Sequence, residues 1–240
     1  MVTAPHHLAA QSGLAVLREG GNAVEAMVAA AASIAVVYPH MNSIGGDGFW
    51  LIRAPGKDPV GIDACGAAGW QVDAALYSAR GLTAIPSRGP LAANTVAGTV
   101  SGWGDALRIS QSLGGHLPLE RLLEDAIHYA EHGVPVTVGQ QSLTKDKLGE
   151  MEGVCGFSQF LSEGKPYQAG QLYRNERLAE TLRAIAADGT ETFYRGALAT
   201  KIAADLSAAG SPVTAADLAA HTAQRVTPLK VDLPGAQLFN

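Results

Sequence analysis

Cysteine is nearly absent from this sequence. Two residues, Cys65 and Cys155, in a chain of 240 cannot build a disulfide framework, and neither stands in a CxxC pair or near a histidine at zinc-site spacing. No metal and no cofactor is therefore expected. Basic runs are missing too: 17 Lys and Arg against 22 Asp and Glu give a net charge of −5. The lack of a concentrated basic face to neutralise phosphates argues against a nucleic-acid partner, and none is expected. Long apolar runs are also lacking. The most apolar segment, "VEAMVAAAASIAVV", runs only from Val24 to Val37 and carries Glu25, short of the roughly 20 residues that cross a bilayer, so no membrane partner is expected. No basic stretch precedes an apolar run at the start of the chain, as an export signal would require.

What is present is the makings of a core. Hydrophobic residues form 47% of the chain and charged ones 16%, spread along the whole length, which points to a globular fold; the length allows one large α/β domain or two small ones. We take residues 1–240 as a single domain. From Pro5 to Glu19 apolar residues recur with helical spacing, and Gly20–Gly21 supplies a helix exit. Asn22 caps a second helix, alanine-rich and apolar nearly all round, which implies burial at the centre of the fold. "NSIGGDGFWLIRA" turns tightly at its glycines and leads into a strand at Phe49–Ala54, and "PVGIDAC" forms the second strand of a hairpin. Helices are expected at about 73–79, 101–112, 119–131, 140–150, 176–187, 196–209 and 214–220. Two strands make no stable sheet alone; the rest of the sheet is expected from outside this chain, as part of a larger assembly.

Few motifs carry chemistry on their own. "GGDGF" lacks the third glycine and the following helix of a dinucleotide loop, so it is a structural turn. His6 and His7, adjacent at a helix start, point about 100° apart and cannot share an ion; a capping role fits better. The carboxylates Asp63 and Asp73, or Glu124 and Asp125, have no spacing that holds them at one site, and read as solvated or capping groups. Cys65 stands at a strand end, where catalytic residues are often placed, but no local motif supplies a base. By residue type it is a buried, inert cysteine.

Four ordered blocks nonetheless resemble one family. "MVTAPHHLAAQSGLAVLREGGNAVEAMVAAAASIAVVYPHMNSIGGDGFWL", "NTVAGTVSGWGDAL", "LGGHLPLERLLEDAIHYAEHGVPV" and "ETFYRGALATKIAADLSAAGSPVTAADLAAHTAQRVTPL" are similar to segments of the large subunit of the γ-glutamyltranspeptidases, which are N-terminal nucleophile hydrolases. Ala97 stands where that family usually has proline. The resemblance implies an αββα sandwich whose sheets are completed by a small subunit cut from the same precursor, with a pair of such heterodimers as the larger assembly. It also implies that no catalytic residue lies in this chain, because the nucleophile is the threonine freed at the start of the partner chain. Met1 matches an internal methionine of the family, so an export signal can lie upstream; the expected compartment is cytoplasmic, or periplasmic if such a signal precedes.

In the family's γ-glutamyl enzymes an arginine on the strand matching 62–69 clamps the substrate's carboxylate. Here Cys65 takes the arginine's place, Gly66 that of a glutamate and Gly69 that of a proline. Losing a bidentate guanidinium leaves a charged group without its partner, a cost of several kcal/mol. The departure resembles the acylase-like and amidohydrolase branches of the family, and implies hydrolysis of a small, oxamate-like amide or an acyl amide. Cys65 would then line the pocket, and Arg88, in "IPSRGPLAANT", would supply the substrate-binding cation. The other readings are γ-glutamyl transfer, a cysteine hydrolase pairing Cys65 with His128, and a subunit without chemistry.

Overall fold

The computed structural model describes residues 1–240. Ten helices form: α1 (His7–Arg18), α2 (Ala23–Val37), α3 (Ala74–Ser78), α4 (Thr99–Ser112), α5 (Leu119–His132), α6 (Val138–Met151), α7 (Glu176–Asp188), α8 (Thr192–Arg195), α9 (Ala197–Ala209) and α10 (Ala215–Ala220). The strands are β1 (Gly48–Ile52), β2 (Val60–Ala64), the two-residue pieces β3 (Val134–Pro135), β4 (Leu161–Ser162), β5 (Lys165–Pro166) and β6 (Leu172–Tyr173), then β7 (Gln224–Val226), β8 (Lys230–Leu233) and β9 (Ala236–Phe239). Each long helix lies within two residues or so of its expected span. The single turn of α8 and the two-residue strands are too short to show a periodicity and were not expected.

Local chemistry explains the helix ends. His6 caps α1, its Nδ1 accepting the Leu8 N–H at 3.3 Å, and Gly20 ends it at a φ of 92° that favours glycine. At α2, Asn22 Oδ1 accepts the N–H groups of Val24 and Glu25, while Glu25 Oε2 accepts the Asn22 N–H at 2.7 Å, a reciprocal cap. The second oxygen of Glu25 accepts the Leu117 N–H at 2.7 Å. This buried carboxylate thus satisfies two loops at once. Helix α2 is buried as its composition implies, packed by α1, α4 and α5, and α7 lies against α5. Trp103, Leu122, Leu123, Leu182 and Ile185 fill the core between them.

The hairpin of β1 and β2 is antiparallel, with Trp50 opposite Ile62. A third strand corrects one expectation: β7, from this same chain, pairs with β2, with Arg225 opposite Ile62. Two anchors hold it there. Arg225 gives a bidentate pair of bonds to Asp105 of α4, Nε to Oδ2 at 2.8 Å and Nη2 to Oδ1 at 3.0 Å, and the Ala223 N–H donates to Ser101 Oγ at 2.7 Å. Alternation along the strands then sorts the faces. Ile62 packs with Val24 and Ala106 beneath the helices, whereas Phe49 (71% exposed), Leu51 and Val226 face outward. Helices cover one face of the sheet, and none of this chain's helices covers the other.

Candidate functional site

The site begins where β2 ends. Asp63 Oδ1 accepts the Cys65 N–H at 2.9 Å, a turn across the side chain that takes the backbone off the sheet. The next amide, Gly66 N–H, donates to Asp47 Oδ1 at 2.9 Å, which joins this segment to the glycine-rich turn. That turn is itself docked on the start of α4: the Gly46 carbonyl accepts the N–H groups of Gly98 and Thr99 and the Thr99 hydroxyl, each at 2.9 Å. Residues 66–69 then run beside 94–96, through Val96 N–H to Ala67 O and Gly69 N–H to Asn94 O, both 3.0 Å. Only glycine fits at 66, because a β-carbon there would sit 1.5 Å from Val96 O.

Trp70 closes the run. Its N–H donates to Asp217 Oδ1 at 2.8 Å, and Asp217 is the third residue of α10, where it forms a reciprocal cap with Thr214. Burial would raise the Asp217 carboxyl, but the Thr214 hydroxyl and the N–H groups of Trp70 and Thr214 hold it below the ordinary carboxylate value. Between the strand end and α10 lies a cavity of about 440 Å³, walled by Asp63, Cys65, Trp70, Asp217, His221 and Gln224 among others. That volume suits a small ligand. Its wall holds two carboxylates and no lysine or arginine.

Cys65 is exposed, which corrects the expectation of a buried filler: the turn at Asp63 carries it onto the cavity wall. Desolvation at that wall, then the nearby Asp47 carboxylate and more weakly Asp63, push its thiol above the ordinary value. A nucleophilic cysteine needs the opposite environment. His128 is not brought to it. That ring stacks on His132 at 4.4 Å between centroids on α5 and is not part of the cavity wall. Arg88 is also apart from the cavity, with Nη2 3.2 Å from Glu150 Oε2 and Nη1 on the Ser87 carbonyl at 3.1 Å. His6 and His7 stack at 4.6 Å, and His6 serves as the cap of α1. Asp73 caps α3 by accepting the Leu76 N–H at 2.7 Å, and Glu124 meets Arg121. No group of three or more metal-binding side chains comes together.

Four of the cavity's residues, Trp70, Asp217, His221 and Gln224, were not singled out from the sequence. The T-x-x-D pattern at Thr214–Asp217 is a readable helix start, but nothing local says that Asp217 also holds Trp70.

The γ-glutamyltranspeptidase family model matches residues 9–240. The chain belongs to the γ-glutamyltranspeptidase family. It is 55% identical over 242 residues to an oxamate amidohydrolase proenzyme from Klebsiella pneumoniae, covering all of this chain and 46% of that protein. Among solved structures, the γ-glutamyltranspeptidase of Helicobacter pylori superposes with a TM-score of 0.91 at 29% identity, over 100% of this chain and 68% of that one. A cephalosporin acylase from Bacillus halodurans gives 0.88 at 33% identity, over 97% and 44%. The chain therefore spans about half the length of the curated relatives it matches. Its mixed helix and sheet architecture is the large-subunit part of the N-terminal nucleophile hydrolase fold, as the four sequence blocks implied.

Proposed function

We propose that this γ-glutamyltranspeptidase-family chain is the large-subunit portion of an autoprocessed amidohydrolase that cleaves a small, oxamate-like amide. The observation that carries the reading is Cys65 itself. At the strand end where the resemblance places a carboxylate-clamping arginine, the wall offers an uncharged thiol beside Asp63, which disfavours a γ-glutamyl group. The likeness to an oxamate amidohydrolase over the whole chain supports the same choice of branch.

In this reading the threonine at the start of the small subunit attacks the amide carbonyl through its hydroxyl oxygen, and its own α-amine takes the proton. The carbon–nitrogen bond breaks and the amine leaves with a proton. Water then cleaves the acyl ester, releasing the acid and restoring the hydroxyl. Cys65 and its neighbours shape one wall of the pocket. Arg88 is our candidate for the cation that meets the substrate's carboxylate. It would have to leave Glu150, an ion pair about half exposed on both sides and therefore weakened by solvent screening.

The test is to express the full-length protein, sequence the N-terminus of every chain, and assay ammonia release from oxamate beside release from a γ-glutamyl anilide. A second chain starting with threonine and turnover of oxamate are expected. A single uncleaved chain, or turnover confined to the anilide, overturns the reading.

A further inference from the structure

His221 is a side chain of the cavity wall whose hydrogen bonding is unaccounted for. It follows the last turn of α10 and is only 8% exposed. Its carbonyl accepts from Arg195 Nη2 at 2.7 Å, and its ring lies 5.2 Å from the Tyr194 ring, centre to centre. Tyr194 is fixed in turn, its hydroxyl donating to Ala97 O at 2.8 Å and accepting the Ser101 N–H at 2.9 Å. The imidazole therefore has little freedom to turn.

Its two nitrogens differ. Nε2 is sealed from solvent and has no partner, and Gly98 closes over it so tightly that an added β-carbon would lie 3.3 Å away. Nδ1 makes no bond within the chain either, but it is not sealed, and His221 is part of the cavity wall. A buried N–H without an acceptor is rarer than a buried lone pair without a donor. The proton of the neutral ring accordingly belongs on Nδ1, at the open edge. Burial first, and Arg195 second, lower the ring's pKa against the opposing pull of Asp47, which keeps it neutral. On the same cavity wall, Asp63 uses only Oδ1 in bonding to the chain and has an oxygen to spare.

We propose that His221 is a substrate-binding residue whose Nδ1–H donates to an acyl-side oxygen of a small amide, while Asp63 accepts an amide N–H of the same molecule. The inference rests on the amidohydrolase reading and adds to it how the part of the site that carries no lysine or arginine contributes to recognising the substrate. A compact molecule with oxygen acceptors and N–H donors a few bonds apart satisfies both groups.

The experiment compares wild type with His221→Phe, His221→Asn and His221→Gln in the full-length processed enzyme, using calorimetric titration with oxamate and steady-state hydrolysis in parallel. Removing one neutral hydrogen bond should weaken binding and raise KM about tenfold in His221→Phe, with a smaller change in kcat. His221→Asn, whose amide N–H occupies the place of Nδ1, should recover most of that loss; His221→Gln, which mimics Nε2, should not. Equal affinity in wild type and His221→Phe overturns the proposal, as does rescue by Gln alone. Should the variants not fold, nitrogen NMR of the wild-type imidazole decides: a neutral Nδ1–H tautomer whose signal moves on adding oxamate supports it, and an Nε2–H tautomer or an unmoved signal overturns it. Wild type that binds oxamate without hydrolysing it refutes the amidohydrolase reading and leaves the His221 comparison intact; wild type that does neither refutes both.

Discussion

Replacing Gly66 by alanine is the sharpest perturbation of this site that changes no functional group. The added β-carbon would sit 1.5 Å from Val96 O and 2.5 Å from Val96 C, backbone atoms that cannot rotate away as a side chain would. Ordinary contact begins near 3.4 Å, so the two segments must separate by about 2 Å in a close-packed interior. That shift breaks the bonds Val96 N–H to Ala67 O and Gly69 N–H to Asn94 O, and strains Gly66 N–H to Asp47 Oδ1. At about 1 kcal/mol for each broken hydrogen bond and a fraction of that for the strained one the loss is about 2–3 kcal/mol, which for a chain of this size lowers Tm by roughly 5–10 °C. The assay is thermal melting of the intact protein followed by circular dichroism, with Gly149→Ala as the control. Gly149 lies in α6 with nothing within 4 Å of an added β-carbon, so its replacement should be neutral or stabilising by up to about 1 kcal/mol. A Gly66→Ala protein melting within about 2 °C of wild type would refute the reasoning.

Further outcomes follow from Cys65 and from the anchor of β7. Because its thiol pKa is raised, Cys65 should be less ionised at neutral pH than a free cysteine, so iodoacetamide should label it more slowly than a cysteine peptide, with the rate climbing only at higher pH; Cys65→Ser should keep turnover within about tenfold, and a drop of a thousandfold would restore the cysteine-hydrolase reading. At Asp105, burial would raise the carboxyl, but Arg225 and then Arg108 more than offset it and the folded pKa lies below the ordinary value. Its contribution is therefore complete above about pH 4 and lost as pH falls through the folded value. With Arg225 half exposed, Asp105→Asn should cost about 1–3 kcal/mol and flatten the acid limb of a urea-stability profile between about pH 5 and 3; an unchanged limb argues against the anchor.

What the sequence disclosed and what it hid divide by distance along the chain. The cap at Asn22, the exit at Gly20 and the hairpin of β1 and β2 depend on residues within a few positions of one another, and each was legible. Strand β7 was not, because three exposed residues show no alternation to read and their place is set by Asp105, 120 positions away. Cys65 shows the two cases in one residue. Its position at a strand end was legible; its exposure was not, since residue type describes the average cysteine and the turn at Asp63 describes this one. Asp217 was legible as a helix cap and illegible as a wall, for the Trp70 amide it holds lies 147 positions upstream. Arg88 was placed by its loop, and a loop's composition does not say which carboxylate it meets; here that is Glu150. The same logic makes His221 the residue most in need of the structure. A histidine after a short helix is unremarkable in sequence. Only the packing of Gly98 and Tyr194 around its ring leaves one nitrogen sealed and the other open, and that asymmetry is what makes it a donor toward the cavity.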